Sequence, residues 1–252
     1  MRVAAVVVAH GRPAQLDACL AALLPEVEEA VVVANVAGAI GQLPPGVRLL
    51  EAPRERGFAA NANAGIRATR AETVVLANPD AVAARNAVRT LAEAMADRPR
   101  CGVAGPRIVY PDGGWQPSRR RFPTVGGTLV RRTPLRWLLE PARRQRRHYL
   151  LDDRPAEPVE ADWMLGAFLL LRREMLEELG GFDEGYRLYC EDIDLCYRAA
   201  QAGWERWYVP GAVVVHEYAA EIDRRFLTRR TLWHLRGMLR FVRKHPERLL
   251  AL

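Results

Sequence analysis

The chain has 252 residues, half of them hydrophobic, enough for one large α/β domain or two small ones with a substantial core. Its formal net charge is +7 and its pI about 9.7, yet no nucleic-acid-binding motif or aromatic-interleaved basic strand is present, so nucleic acid is excluded as an expected partner. Cys19, Cys101, Cys190 and Cys196 form no Cys-x-x-Cys pair and no zinc spacing, which excludes a zinc site and reads as reduced core thiols of a cytoplasmic protein.

The basic excess is local. Ten arginines and one acid, Glu140, lie between Arg119 and Arg147, and Lys244 is the single lysine. A solvated basic face and an anion-contacting face both fit such runs. The apolar N-terminus is too short for a signal peptide and has no small-residue cleavage site. No apolar run approaches the roughly 20 residues that span a bilayer.

In chain order, residues 3–9 are a continuous β-branched and small apolar run, the pattern of a strand buried on both faces. His10-Gly11-Arg12 turns the chain, and Leu16, Cys19, Leu20, Leu23 and Leu24 follow at helical spacing after Pro13. Residues 30–34 and 47–50 read as strands, 63–71 as a helix and 73–77 as a fourth strand. Val88, Leu91, Ala92 and Met95 mark one helical face, and 102–109 is again extended. This alternation up to about residue 110 predicts a parallel, doubly wound sheet, with ligands at the carboxyl ends of its strands. His10, Asn35, the 53–58 loop and Asn78-Pro79-Asp80 all follow strands and are expected on that edge.

From 111 to 158 Pro, Gly and Arg dominate, with a short helix suggested by Leu135, Leu138 and Leu139. Residues 161–171 read as one apolar extended run. A helix over 173–179 ends at Gly180-Gly181, and another over 191–202 ends at Gly203. Residues 204–209 and 212–215 read as two strands divided by Pro210-Gly211. Residues 225–242 form a basic amphipathic helix, suited to a membrane surface or, in the favoured reading, to packing on the core.

The acids draw the chemical reading. Asn-Pro-Asp after a strand is, alone, an ordinary turn, but Asp80 can also supply a carboxylate to a divalent cation on a substrate phosphate, with Asn78 orienting it or binding the sugar. Glu191, Asp192 and Asp194 open a helix, where acids suit the macrodipole. A carboxylate there can equally take a proton from an attacking hydroxyl. His216 ends a strand after the acid helix, a place for polar surface or for a metal ligand.

Together these segments resemble family 2 glycosyltransferases of the GT-A fold, in the bacterial rhamnosyltransferase-like branch. The ordered matches are Arg56-Gly57-Phe58 with Asn61-Ala62-Asn63-Ala64-Gly65, Leu76-Ala77-Asn78-Pro79-Asp80, Pro111-Asp112-Gly113 with Ser118-Arg119-Arg120-Arg121-Phe122-Pro123, Asp162-Trp163 with Gly166-Ala167, Gly180-Gly181-Phe182-Asp183-Glu184, Cys190-Glu191-Asp192-Ile193-Asp194-Leu195 and His216. The resemblance implies an α/β GT-A fold, a mostly parallel central sheet with helices on both faces. It implies a catalytic domain over 1–220, with a nucleotide-binding half to 110 and an acceptor-binding half beyond. Residues 221–252 would be a basic helical extension. It implies an inverting glycosyltransferase using Mg²⁺ or Mn²⁺, a dTDP-, UDP- or GDP-sugar donor and a glycan or lipid-linked acceptor, in cell-surface polysaccharide synthesis. Asp192 would be the general base, with Asp80 and His216 at the metal. His10, Asn35, Gly57, Phe58, Asn63, Asn78 and Asp80 would serve the donor, and Trp163, Gly166 and Glu191 the acceptor. Location would be cytoplasmic, with peripheral contact to an anionic membrane.

Two departures mark the nucleotide end. Ala34-Asn35 stands where the family carries Asp-Asn, removing a carboxylate that contacts the base. Ala9-His10-Gly11 lacks the family's aromatic after the first strand. They favour, as the alternative, a non-catalytic or donor-altered homologue that binds nucleotide or glycan. A nucleotidyltransferase would need a Gly-rich basic loop where His10-Gly11-Arg12-Pro13 stands, and is discounted.

Overall fold

The computed structural model describes residues 1–11, 14–52, 55–123, 150, 153–217 and 228–249. The elements run β1 (Val3–Ala9), α1 (Leu16–Leu23), β2 (Glu29–Ala34), β3 (Val47–Glu51), α2 (Phe58–Arg67), β4 (Thr73–Ala77), β5 (Ala81–Ala83) and α3 (Ala87–Ala96). Then follow β6 (Cys101–Val109), β7 (Trp115–Gln116), β8 (Arg119–Arg120), β9 (Val159–Glu160), β10 (Trp163–Met164) and β11 (Phe168–Arg172). The chain continues with α4 (Arg173–Leu179), α5 (Glu191–Gln201), β12 (Glu205–His216) and α6 (Arg229–Lys244). The central sheet has the order β3-β2-β1-β4-β11-β6-β12-β5, and β8 and β10 pair separately.

The apolar run of β1 shows why the strand must be buried twice. Val6 and Val8 join a core cluster with Ala59, Ala62 and Ile66 of α2. Ala5, Val7 and Ala9 join a second cluster with Leu16, Leu20 and Leu23 of α1. Side chains alternate across a strand, so both faces need apolar residues when helices cover both. The α2 helix lies so close that a Cβ on Gly65 would sit 2.4 Å from a Val6 methyl.

The first four strands of this order are parallel, β1 pairing with β2 and β4, and β2 with β3. The chain then reverses: β11 runs antiparallel to β4 and to β6, while β12 is parallel to β6. Phe168 pairs with Ala77, so the turn before β11 lies at the carboxyl edge of β4. His216, the last residue of β12, reaches the same edge.

Several elements differ from the sequence reading. The helix expected over 63–71 begins at Phe58 and ends at Arg67, because extended Gly57 starts it and the Arg187 carbonyl accepts from the Phe58 N–H at 2.8 Å. The run 161–171 is broken by a turn at 165–167 into β10 and β11, which hydropathy cannot show because both pieces are apolar. The two strands expected either side of Pro210-Gly211 are one strand, β12, whose pairing shifts from Val209↔Pro106 to Val213↔Arg107. Proline has no N–H for a ladder, so the sheet absorbs it as a bulge instead of a turn. The helix expected near Leu135–Leu139 lies outside the described residues.

Candidate active site

Asn35 organises the β1–β2 side of the carboxyl edge. Its N–H donates to the Ala9 carbonyl at 2.8 Å. Its Oδ1 accepts from the Arg56 N–H at 2.7 Å and from Asn61 Nδ2 at 2.8 Å. Its Nδ2 lies 3.1 Å from His10 Nδ1. The ends of β1 and β2, the loop after β3 and the first turns of α2 are thereby joined through one amide. Gly57 is needed where this loop meets the acid-bearing region, since a Cβ there would sit 2.8 Å from the Arg187 backbone. Phe58, half-buried, continues that contact.

Asn63 is not brought to this cluster. Its Nδ2 donates to the Phe182 carbonyl at 2.8 Å and its Oδ1 accepts from the Phe182 N–H at 2.9 Å. It pins the Gly-Gly-Phe-Asp-Glu turn. Residues two apart on a helix face different ways, so Asn61, not Asn63, joins Asn35. With the helix start misplaced by five residues, the phase of the Ala-Asn-Ala-Asn-Ala repeat could not be read.

Asp80 and His216 meet through sheet register. The unexpected strand β5 follows Asp80 directly and pairs with β12, His216 opposite Ala81. His216 Nε2 then lies 3.5 Å from Asp80 Oδ1. Its Nδ1 faces the Gln116 side-chain oxygen at 2.8 Å. A carboxamide oxygen only accepts, so Nδ1 donates to Gln116, and Nε2 is the ring nitrogen turned toward Asp80. Gln116 is 2 % exposed and sits on β7, too short for a sequence signal.

Two ligands at right angles around a small hard cation lie ~3 Å apart, so Asp80 and His216 fit a shared Mg²⁺ or Mn²⁺. Among the described residues no group of three or more His, Cys, Asp or Glu gathers. That suits a cation completed by substrate phosphates and water instead of a closed protein cage.

The turn at 165–167 links this end to the acids. The Ala167 carbonyl accepts from the Asn78 N–H at 2.8 Å, and the Gly166 N–H donates to Asp192 Oδ2 at 3.0 Å. Asn78 and Asp192 are thus gripped from opposite sides of one turn. A Cβ on Gly166 would lie 3.3 Å from that of Asp192, which leaves no slack.

Helix α5 starts under strain. Tyr189 and Cys190 both adopt left-handed backbone, φ 71° and 73°, a costly state for residues with a Cβ and one that collects at functional sites. The turn delivers Glu191 and Asp192 side by side. Burial, then the Asp192 charge, pushes the Glu191 carboxyl up to about 8. Burial also raises Asp192, but the N–H groups of Gly166 and Ile193 and the Arg120 charge oppose it. Glu191 Oε2 is buried without a hydrogen-bond partner. Of the two, Asp192 has the N–H groups and the Arg120 charge that favour a carboxylate, while burial and the Asp192 charge dispose Glu191 toward its protonated form.

The third acid does something else. Asp194 is fully buried and accepts from Arg198 Nε at 2.7 Å, with His245 Nε2 at 2.9 Å. Burial alone would raise its carboxyl, but the Arg198 charge and the His245 bond hold it low. It fastens α5 to the C-terminal segment. Trp163 is buried, its indole N–H donating to the Arg121 carbonyl at 2.7 Å. The Arg120 guanidinium stands 5.6 Å from the Trp163 ring. The sequence offers Arg120 only as one of the run Arg119-Arg120-Arg121, a solvated or anion-contacting face, in which spacing does not separate it from its neighbours.

A family model described as "Glycosyltransferase like family 2" matches residues 2–238. A Mycobacterium tuberculosis N-acetylglucosaminyl-diphospho-decaprenol L-rhamnosyltransferase is 39% identical over 154 residues, 60% of this chain and 48% of that protein. The rhamnosyltransferase WbbL of Escherichia coli is 42% identical over 81 residues, 32% of this chain and 30% of that one. The chain spans about half the length, or less, of these curated relatives. Among solved structures, GalNAc-T7 with UDP, GalNAc and Mn²⁺ superimposes at TM-score 0.69 and 16% identity, covering 96% of this chain and 48% of that one. The Pyrobaculum calidifontis mannosyltransferase PcManGT, with GDP-Man and Mn²⁺, gives 0.58 at 19% identity, covering 87% and 58%. The fold is that of GT-A enzymes.

Proposed function

Because the chain belongs to the glycosyltransferase like family 2, we propose that it is an inverting, metal-dependent glycosyltransferase. It moves a sugar, rhamnose in the favoured reading, from a nucleotide-sugar to a hydroxyl of a glycan or lipid-linked acceptor. The product belongs to cell-surface polysaccharide, made at the inner face of the membrane. The observation that carries this reading is the 165–167 turn, whose Gly166 N–H bonds Asp192 and whose Ala167 carbonyl bonds Asn78, two residues before Asp80.

Asp192 takes the proton from the acceptor hydroxyl as its oxygen attacks the anomeric carbon. The donor's glycosidic C–O bond breaks on the opposite face, and the nucleoside diphosphate leaves with the bonding pair. Asp80 and His216 Nε2 would hold the divalent cation, which when bound stabilises charge on the leaving diphosphate. Asn35 and the 55–58 loop border the nucleotide, and Trp163 the acceptor. Glu191, which burial disposes toward its protonated form, lines the acceptor side next to the base.

Support for a lipid-linked acceptor comes from the decaprenol-linked substrate named for the mycobacterial relative, and for the metal from Mn²⁺ in both solved neighbours. One observation favours a donor-altered or non-catalytic protein instead: Ala34 is fully buried at the end of β2 and offers no carboxylate to a base. A transfer and hydrolysis screen across UDP-, dTDP- and GDP-sugars, with and without Mn²⁺, separates the two. The transferase reading expects Mn²⁺-dependent release of one nucleoside diphosphate. Calorimetric binding of nucleotides without turnover of any sugar would move the protein to the second reading.

A further inference from the structure

Helix α6 has two apolar faces, one buried and one exposed. Gly237, Met238 and Phe241 are buried against the body. On the outer side Leu232, Leu235 and Leu239 are 47%, 42% and 49% exposed. Their spacing puts them in one stripe along the helix. Arg229, Arg236 and Arg243, all exposed, follow at seven-residue intervals on the adjoining side. A groove of about 580 Å³ opens beside the stripe, lined by Asp183, Arg236, Leu239, Arg240, Arg243 and Lys244.

The charge there is unbalanced. Asp183 binds Arg240 at 2.8 Å and Lys244 at 2.9 Å. Arg236 and Arg243 have no carboxylate partner among the described residues, and the helix sequence contains no acid.

We propose that this outer face is an interfacial contact for an anionic bilayer. The leucines enter the boundary between headgroups and acyl chains, and the arginine row meets lipid phosphates. Nucleic acid would account for the arginines but not for three exposed leucines. A second copy of the chain, docked by the same face, would set arginine row against arginine row with no acid between them. A bilayer satisfies both halves of the pattern.

The helix also places the membrane against the site. Gly237 packs so tightly that its Cβ would lie 3.0 Å from the Tyr189 carbonyl, in the strained turn that precedes Glu191 and Asp192. The bilayer would thus stand about one helix thickness, ~10 Å, from the start of the catalytic helix. The purpose of the contact rests on the proposed lipid-linked acceptor; the contact itself is measured without any acceptor.

The test is co-sedimentation of the full chain with phosphatidylcholine vesicles and with vesicles that also contain phosphatidylglycerol. Binding is expected to the anionic vesicles and to weaken with salt. It should fall at least ~10-fold in Leu232→Gln/Leu239→Gln and in Arg236→Gln/Arg243→Gln, since each pair removes one of the two interactions. Both variants change exposed side chains, and an unaltered melting temperature checks that they fold. No pelleting with anionic vesicles, or pelleting untouched by both variants, overturns the proposal. So does a dimer in sedimentation velocity that the leucine variant dissolves while vesicle binding is absent. Vesicle binding by a chain that transfers no sugar sustains this contact and counts against the transferase reading alone.

Discussion

The two ends of the site are built by opposite means. The proposed donor end is set by sheet register: β5 pairs with β12, and that pairing carries Asp80 to His216 across 136 residues of sequence. Asp80 sits in the turn before β5 and His216 ends β12, neither with left-handed backbone, and Gln116 needs only an ordinary ladder to hold the imidazole. The proposed base end is set by strain and burial. Two left-handed residues open α5, and burial raises both neighbouring carboxyls. A cation site needs fixed ligand positions, which register supplies. A general base needs a tuned proton affinity, which a charged neighbour and partial burial supply.

The comparison breaks first at Asp192. Asp192→Asn is expected to lower kcat by about 10²- to 10⁴-fold, with circular dichroism and melting temperature unchanged. Near-normal turnover would remove Asp192 as the base. At the other end, Gln116→Leu is expected to weaken Mn²⁺ affinity, measured with nucleoside diphosphate present, by ~10- to 100-fold. A stability loss of about 1–3 kcal/mol is expected beside it, because the buried His216 Nδ1 loses its acceptor. Unchanged affinity would reduce Gln116 to packing.

Glu191→Gln sharpens the base end through pH. Below the ordinary value of 4.5 both folded and unfolded chains hold the Glu191 proton, and above about 8 both have lost it. Between them the unfolded chain binds fewer protons, so stability falls as pH rises through that window. The variant has no such proton and should resist the fall, by on the order of 1–3 kcal/mol at its alkaline end. Parallel melting curves for both proteins across pH 5 to 8 would refute the raised Glu191 carboxyl. The smallest effect is expected from Gly166→Ala, whose methyl displaces Asp192 by a few tenths of an ångström. It should cost about 3- to 10-fold in kcat with little change in melting temperature; a large loss of stability would mean the turn is structural first.

Much of the fold was legible because its strands are buried twice. Val3–Ala9 is wholly apolar and is followed by an amphipathic helix, a pattern that fits a central parallel strand and little else. Short strands were not legible. β5, β7 and β8 hold three, two and two residues, below any period, and they bring in Asp80, Gln116 and Arg120. Asn61 was passed over for Asn63 because a helix face depends on where the helix begins, and the Arg187 carbonyl that fixes the start lies 129 residues away.

The sequence by itself determined the alternation of strands and helices, the edge on which Asp80 and the other strand-end residues fall, and the acids that open α5. Local spacing is enough for these, because each follows from a period or a cap within a few residues. Only the tertiary structure decided that His216 faces Asp80, that Asp192 receives two backbone N–H groups while Glu191 is buried beside it, that Asp194 is a buried anchor, and that α6 both packs inward and leaves leucines outward. Those outcomes depend on register between distant strands and on burial, and neither is a property of any one segment.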